Sequence, residues 1–182
     1  MQKNGRFFFM KKVFVIFSIL LSVSMISCRR IDNKNKGTIG MPNPIKACTA
    51  EDLEKAGFAF IVPSESQEVS YSIISDSIAQ MSFNWKGCDC NARMQSEKEL
   101  KDISGYWYTW ETEYDSKVSG CDAKVKYATK EDGNIAAVCL WFDSNNGYLY
   151  SFSMTVPGIG PGDISDVGTL VLNLAEQTYS AK

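Results

Sequence analysis

Histidine is absent from this 182-residue chain, and its absence removes several kinds of chemistry at once. Without an imidazole there is no Ser-His-Asp or Cys-His catalytic arrangement and no histidine ligand for a transition metal. The chain also lacks a Gly-x-Ser-x-Gly nucleophile elbow, a phosphate-binding loop and a dinucleotide-binding fingerprint. We therefore expect no metal and no cofactor, and a non-enzymatic protein is favoured over an enzyme.

The first 27 positions contain no acidic residue. Four basic residues lie among the first 12: Lys3, Arg6, Lys11 and Lys12. An apolar run, "VFVIFSILLSV", follows at residues 13–23. Eleven residues are too few for a membrane span, which needs about 20. A basic start followed by a short apolar run is typical of a secretory signal peptide, which we place at residues 1–27.

The signal ends in "MISC", residues 25–28, which resembles the lipobox of bacterial lipoproteins. The resemblance implies cleavage before Cys28 and attachment of lipid to it, so the membrane becomes a partner and the extracytoplasmic face the predicted location. Cleavage would leave 155 residues and change the formal net charge from −2 to −6. An acidic chain lacks the basic stripe of nucleic-acid-binding proteins, and we expect no nucleic acid.

Residues 28–46 are polar and contain little that could pack, which predicts a flexible tether. Residues 47–182 are then expected to form a single α+β domain. Its first element is a short helix that Thr49 caps and Gly57 ends. Its last element is a longer helix that Asp163 caps, with apolar residues at spacings of three and four, which predicts packing on one sheet face.

Between the helices the apolar residues alternate with a period of two, which predicts an antiparallel β meander. Hairpin signals separate the strands at Lys86-Gly87, Asp132-Gly133 and Asn146-Gly147. The predicted strands are "FAFIV" (58–62), "IAQMSFNW" (78–85), "CDCNARMQ" (88–95), "YWYTWETEY" (106–114), "CDAKVKYA" (121–128), "IAAVCLWF" (135–142) and "YLYSFSMTV" (148–156).

The cysteines other than Cys28 raise three possibilities: disulfides, a redox pair or a metal site. Cys88 and Cys90 lie about 6.6 Å apart along one strand, which is too far for a bond between them and the wrong spacing for a thioredoxin-like pair. A zinc site would need further thiolates or histidines. An exported chain can keep disulfides, and the favoured pairing joins Cys88 or Cys90 to Cys121, with Cys139 buried.

Five aromatic residues crowd residues 106–114 and put rings on both faces of the predicted strand. We expect the face with Tyr106, Tyr108 and Trp110 to be core. The opposite face carries Trp107, Glu111 and Glu113. It could be a platform that stacks against sugar or peptide, or it could lie under a helix.

Short segments spread over the chain resemble a group of uncharacterised small lipoproteins of Gram-positive anaerobes, related to extracytoplasmic domains of proteins regarded as anti-sigma factors. The matching segments are "GMPNP" (40–44), "EKAGFAFIVP" (54–63), "ARM" (92–94), "DISGYWYTW" (102–110) and "LWFD" (140–143). The resemblance implies a class and a location, and it assigns no activity.

Two functional hypotheses follow, beside the third possibility of a purely structural lipoprotein with no ligand. The first is a membrane-anchored module that binds an envelope carbohydrate or peptide through the candidate platform of Trp107, Glu111 and Glu113. The alternative is a hydrolase of envelope polymers that uses Glu111 and Glu113 as its two carboxylates. Two acids with opposed pKa shifts in one pocket would favour the enzyme, and an open aromatic surface would favour binding.

Overall fold

Period-two sequences build one eight-stranded antiparallel sheet in the computed structural model, which describes residues 44–158 and 164–179. The predicted signal peptide, Cys28, most of the predicted tether and Asp163 lie outside the described residues. In chain order the elements are β1 (Ile45–Cys48), α1 (Ala50–Lys55), β2 (Ser66–Ile74), β3 (Ile78–Trp85), β4 (Cys88–Ser96), β5 (Thr112–Val118), β6 (Cys121–Thr129), β7 (Ile135–Asp143), β8 (Tyr148–Val156) and α2 (Ile164–Thr178).

The strands are ordered β1-β2-β3-β4-β8-β7-β6-β5 across the sheet. The single meander that the sequence predicted is therefore wrong in one respect, because two four-stranded meanders meet where β4 pairs with β8. Asp89 opposes Thr155 at this junction, and Ser96 opposes Tyr148 at its other end. The predicted α+β class is confirmed as an antiparallel sheet with a short helix and a C-terminal helix.

The two faces of the sheet differ in composition. The face that we call the helix face carries the main core, because α2 covers its β5–β8 half. Trp141 stacks on Tyr150 there, with ring centroids 5.1 Å apart, and both rings are buried. From the helix, Val167, Val171 and Leu174 are buried against this face, as their spacing predicted.

Local sequence explains both helices. Thr49 accepts a hydrogen bond from the backbone N–H of Asp52, whose carboxylate accepts from the backbone N–H of Thr49, and this reciprocal pair starts α1. Within α2, Gly168 allows a close approach to β5. A Cβ at this position would lie 2.4 Å from the hydroxyl oxygen of Tyr114.

The predicted strand at residues 58–62 is wrong. This segment has no strand partner; it packs across the helix face, where Phe58 meets Tyr148 edge to face with centroids 5.9 Å apart. Ile61 donates its backbone N–H to the carbonyl of Thr178 at the end of α2. The segment is apolar because it covers part of the core. Its composition therefore resembles that of a buried strand.

Two strands lay outside the sequence prediction. β1 begins at Ile45, inside the predicted tether, and pairs with β2. The pairing of β2 with β3 shifts register between Gln67 and Ser70, which marks a β-bulge. A bulge interrupts the alternation on which the prediction of strands depends.

The long connection from β4 to β5, residues 97–111, has to pass over β8, β7 and β6 because β5 lies at the far edge. We call residues 97–111 the crossover and the sheet face beneath it the crossover face. Ile103 and Ser104, both in the crossover, are buried. The predicted strand at 106–114 is therefore wrong over its first six residues, since β5 begins only at Thr112.

Candidate functional site

The aromatic part of the crossover is extended, so its side chains alternate as they would in a strand. Tyr106, Tyr108 and Trp110 form a ladder of edge-to-face contacts, with neighbouring ring centroids 5.8 Å apart. Tyr106 and Trp110 are half-buried, and Tyr108 is 38% exposed. Trp107 lies on the other side of the chain and is 89% exposed, the largest exposed fraction among the exposed large apolar residues of the described chain.

The crossover is fixed to the sheet by polar contacts on both sides of Trp107. Arg93 of β4 donates from Nη1 to the carbonyl of Ile103 over 2.8 Å. The hydroxyl of Tyr106 lies 3.1 Å from Oγ1 of Thr155 on β8. Farther along, Glu111 donates its backbone N–H to the carbonyl of Tyr127 on β6. The indole of Trp107 is therefore exposed on a held segment and is not at the tip of a free loop.

Glu111 and Glu113, the other two candidate platform residues, are occupied by neighbours on β6. Glu111 accepts from the hydroxyl of Thr129 over 3.2 Å. Glu113 pairs with Lys124 at 2.9 Å and with Lys126 at 3.6 Å. The hydrogen bond from Lys124 and the charges of both lysines lower the pKa of Glu113. A carboxyl in this environment is an ion-pair partner, whereas a general acid needs its pKa raised.

A polar depression, which the sequence reasoning did not single out, lies on the crossover face near the start of β4. Its volume is about 240 Å³, and its side-chain lining comes from the bulge of β2 and from the paired strands β3 and β4. The signal was present in the sequence, because the outward positions of two consecutive strands are polar apart from Ile78. The polar lining is formed by Glu68, Ser82, Asn84, Asp89 and Asn91.

A larger depression of about 590 Å³ lies at the other end of the sheet. It is enclosed by the β5–β6 and β7–β8 turns and by Leu100 of the crossover, and Cys121 and Phe142 form part of its floor. The thiol of Cys121 has a raised pKa, mainly because of desolvation, and is therefore a weak nucleophile at neutral pH. No candidate platform residue lines this depression.

The predicted disulfide between Cys88 or Cys90 and Cys121 is wrong. All three side chains are on the helix face, as predicted, but β8 and β7 separate β4 from β6. Three strand spacings amount to roughly 14 Å, and a disulfide requires Cα atoms within about 7 Å. All five described cysteines are free thiols: Cys48, Cys88, Cys90, Cys121 and Cys139.

Burial makes the most enclosed of these thiols poor nucleophiles. Desolvation raises the pKa of Cys90 to about 12 and that of Cys139 to about 12. A thiol needs a lowered pKa to act as a nucleophile or a redox group at neutral pH. Within the described residues, no group of three or more His, Cys, Asp or Glu side chains could hold a metal ion.

Cys28, the predicted lipid attachment site, lies outside the described residues. Neither helix in the described part of the chain has the length and apolar composition that crossing a membrane requires.

Comparison with known proteins adds no relative, since no family model, no curated protein and no solved structure matches this chain.

Proposed function

We propose that the chain is a lipoprotein anchored to the membrane through Cys28, whose extracytoplasmic domain binds a ligand of the cell envelope and does not convert it. The sequence of the first 28 residues supports the anchor and the location. The extracytoplasmic class also agrees with the resemblance to small lipoproteins. The exposure of Trp107 supports the binding role.

An exposed indole on a held segment is the observation that carries this proposal. A tryptophan side chain gains more than most from leaving water, so an 89% exposed ring is costly unless something covers it in use. The ladder of Tyr106, Tyr108 and Trp110 beneath it supports the backbone, which limits the entropy lost when a ligand stacks on the ring. A flat sugar ring or an aromatic or proline side chain of a peptide would suit such a surface.

The alternative function, a carboxylate-dependent hydrolase, has less support. Hydrolysis of this kind needs one carboxyl with a raised pKa and a second that stays ionised, on either side of the bond. The pKa of Glu113 is shifted downward by its lysine partners, and Glu111 is hydrogen-bonded to Thr129. Neither glutamate lines either of the two depressions.

The test compares the full chain with Trp107→Ala, using Ile45→Ala as the matched control because Ile45 is also a largely exposed apolar residue, 66% exposed, on the edge strand β1. Binding is measured by sedimentation with purified insoluble envelope carbohydrate and, separately, with envelope peptide fractions. Loss of the stacking ring should weaken binding roughly tenfold while changing the free energy of unfolding by less than about 0.5 kcal/mol.

Equal binding by Trp107→Ala and the parent would refute the platform, and equal weakening by Ile45→Ala would show that the effect is not specific. Labelling of cells with a radioactive fatty acid tests the anchor in the same strains. The parent should take up label and Cys28→Ser should not.

A further inference from the structure

The polar depression on the crossover face presents hydrogen-bonding groups in a fixed order. Two of them, the hydroxyl of Ser82 and the amide of Asn91, belong to a chain of hydrogen bonds that starts at Arg93, which can only donate. Nε of Arg93 donates to Oε1 of Gln80 over 2.7 Å, so the amide nitrogen of Gln80 is turned toward Ser82. That nitrogen donates to Oγ of Ser82 over 2.9 Å.

The chain of bonds ends at Asn91 and determines which of its atoms is left for a ligand. The hydroxyl of Ser82 accepts from Gln80 and therefore donates onward to Oδ1 of Asn91 over 2.7 Å. With Oδ1 used inside the network, Nδ2 of Asn91 remains as the donor that the side chain offers to the depression.

A second, shorter chain of bonds orients the neighbouring acceptor. The backbone N–H of Gly87 donates to Oδ1 of Asn84 over 3.0 Å, so the amide nitrogen of Asn84 faces Asp89 and donates to its Oδ1 over 3.3 Å. The other carboxylate oxygen of Asp89 is left as an acceptor. Asp89 and Asn91 are two residues apart on one strand, hence on the same face and about 6.6 Å apart.

Glu68, which lines the depression from the β2 side, has a backbone conformation that is unusual for a residue other than glycine. Its φ of +53° is in the left-handed region, and it is the only such non-glycine residue within a strand of the described chain, since the others are in turns. The β-bulge places it there, opposite β3. Strain of this kind, of order 1–3 kcal/mol, tends to collect at ligand-binding positions.

We propose that this depression is a subsite for one ring of a neutral carbohydrate, with Asn91 donating to one hydroxyl and Asp89 accepting from another. A sugar hydroxyl both donates and accepts, so a fixed donor beside a fixed acceptor is complementary to a pair of hydroxyls. The carboxylates of Asp89 and Glu68 repel anionic ligands. At about 30 Å³ for each water, the 240 Å³ of the depression equals about eight waters, which is room for a single small ring.

The subsite lies at the same end of the sheet as the crossover's aromatic segment. Thr155, which contacts the hydroxyl of Tyr106, is the direct strand neighbour of Asp89. A carbohydrate chain with one ring in the depression therefore has Trp107, the residue after Tyr106, on the side where β8 lies. This inference rests on the proposed binding function and names its ligand as an oligosaccharide.

Isosteric exchanges at the two positions test the subsite without removing the inner hydrogen bonds. In Asn91→Asp the oxygen that accepts from Ser82 is kept and the outer donor becomes an acceptor. In Asp89→Asn the oxygen that accepts from Asn84 is kept and the outer acceptor becomes a donor. Matched controls are Asn173→Asp on the exposed side of α2 and Asp115→Asn on β5, where Asp115 is exposed.

The probes are chitotetraose, cellotetraose and maltotetraose, titrated into the isotope-labelled full chain in a zwitterionic detergent that has no sugar headgroup. The side-chain amide resonances of Asn84 and Asn91 report on the depression directly. At least one oligosaccharide should shift them, and each exchange should weaken that binding by about tenfold or more, while the control variants bind as the parent does.

The subsite is refuted if none of the three oligosaccharides shifts these resonances, if the exchanges leave the affinity unchanged, or if calcium chloride shifts them and the sugars do not. The last result would identify a cation site. Failure of the subsite is distinguishable from failure of the proposed function, because the latter is measured by the effect of Trp107→Ala on binding to envelope material. If an oligosaccharide shifts the Asn84 and Asn91 resonances but Trp107→Ala does not weaken binding to envelope material, the subsite is supported and the platform is refuted.

Discussion

Replacing Gly105 by alanine tests how firmly the crossover is attached to the sheet. Gly105 has a φ of +76°, and a Cβ at this position would lie 2.4 Å from Nη1 of Arg93 and 3.0 Å from Nη2. Such contacts have to be relieved by movement. The guanidinium cannot move freely, because Nε and Nη1 are both engaged, with Gln80 and with the carbonyl of Ile103.

The expected cost has two parts. Alanine in a left-handed conformation costs about 1–2 kcal/mol. Displacing the guanidinium breaks at least one hydrogen bond with a charged donor, worth about 1.5–3 kcal/mol. Gly105→Ala should therefore lower the free energy of unfolding by roughly 2.5–5 kcal/mol.

Gly147 provides the control, because its φ is +72° and a Cβ there would have nothing within 4 Å. Gly147→Ala should cost only the backbone part, about 1–2 kcal/mol. Urea unfolding followed by circular dichroism gives both costs, provided that the slope with denaturant is the same in all variants.

An Arg93→Ala background completes the test. Without the guanidinium, Gly105→Ala should cost no more than Gly147→Ala. Equal costs for the two glycine variants in the parent would show that Arg93 does not hold the crossover. An undiminished cost in the Arg93→Ala background would show that the contact with Arg93 is not the cause.

Two further predictions concern thiols and pH. Denatured, unreduced protein should show five free thiols besides Cys28, and a count below five would reinstate a disulfide. In the native state, alkylation of the fully buried Cys139 should be far slower than alkylation of the half-exposed Cys121. The hydrogen bond from the hydroxyl of Tyr179 lowers the pKa of Asp143 below its ordinary 3.8. The stability that this hydrogen bond contributes is therefore present above pH 3.8 and is lost as the pH falls through the lowered pKa of Asp143 in the folded protein. Tyr179→Phe should therefore flatten the fall in urea midpoint at acidic pH, and an unchanged pH profile would contradict this reasoning.

Local sequence was sufficient for five of the eight strands and for the turns between them. β3, β4, β6, β7 and β8 each alternate buried and less buried residues or are buried throughout, and their turn residues are unambiguous. The crossover shows why alternation alone does not identify a strand. An extended segment that packs flat on a sheet has the same alternation as a strand, and only the strand order reveals which of the two it is.

The candidate site depended on the same distinction. Alternation alone assigned Trp107 to the side opposite Tyr106, Tyr108 and Trp110, and Trp107 is the most exposed of the four. The prediction that the other three are core is wrong, because Tyr106 and Trp110 are only half-buried and Tyr108 is 38% exposed. The pairing of Cys88 or Cys90 with Cys121 required knowing which strands are neighbours, and that is decided by contacts between residues far apart in sequence. Predicting the polar depression would have required the register of β3 against β4 and the bulge in β2. The period-two alternation of apolar residues reveals neither of them.

The junction of β4 and β8 also has a consequence for how the chain folds. Asp89 and Thr155, which oppose each other there, are 66 positions apart, whereas β2–β4 and β5–β8 are joined to their neighbours by tight turns. Hairpins close quickly, but closing a long loop carries an entropic cost that must be met before the new contacts stabilise it. We infer that each half-sheet gains structure early, and that the slow step is the meeting of their inner edges, when Ala92 first opposes Phe152.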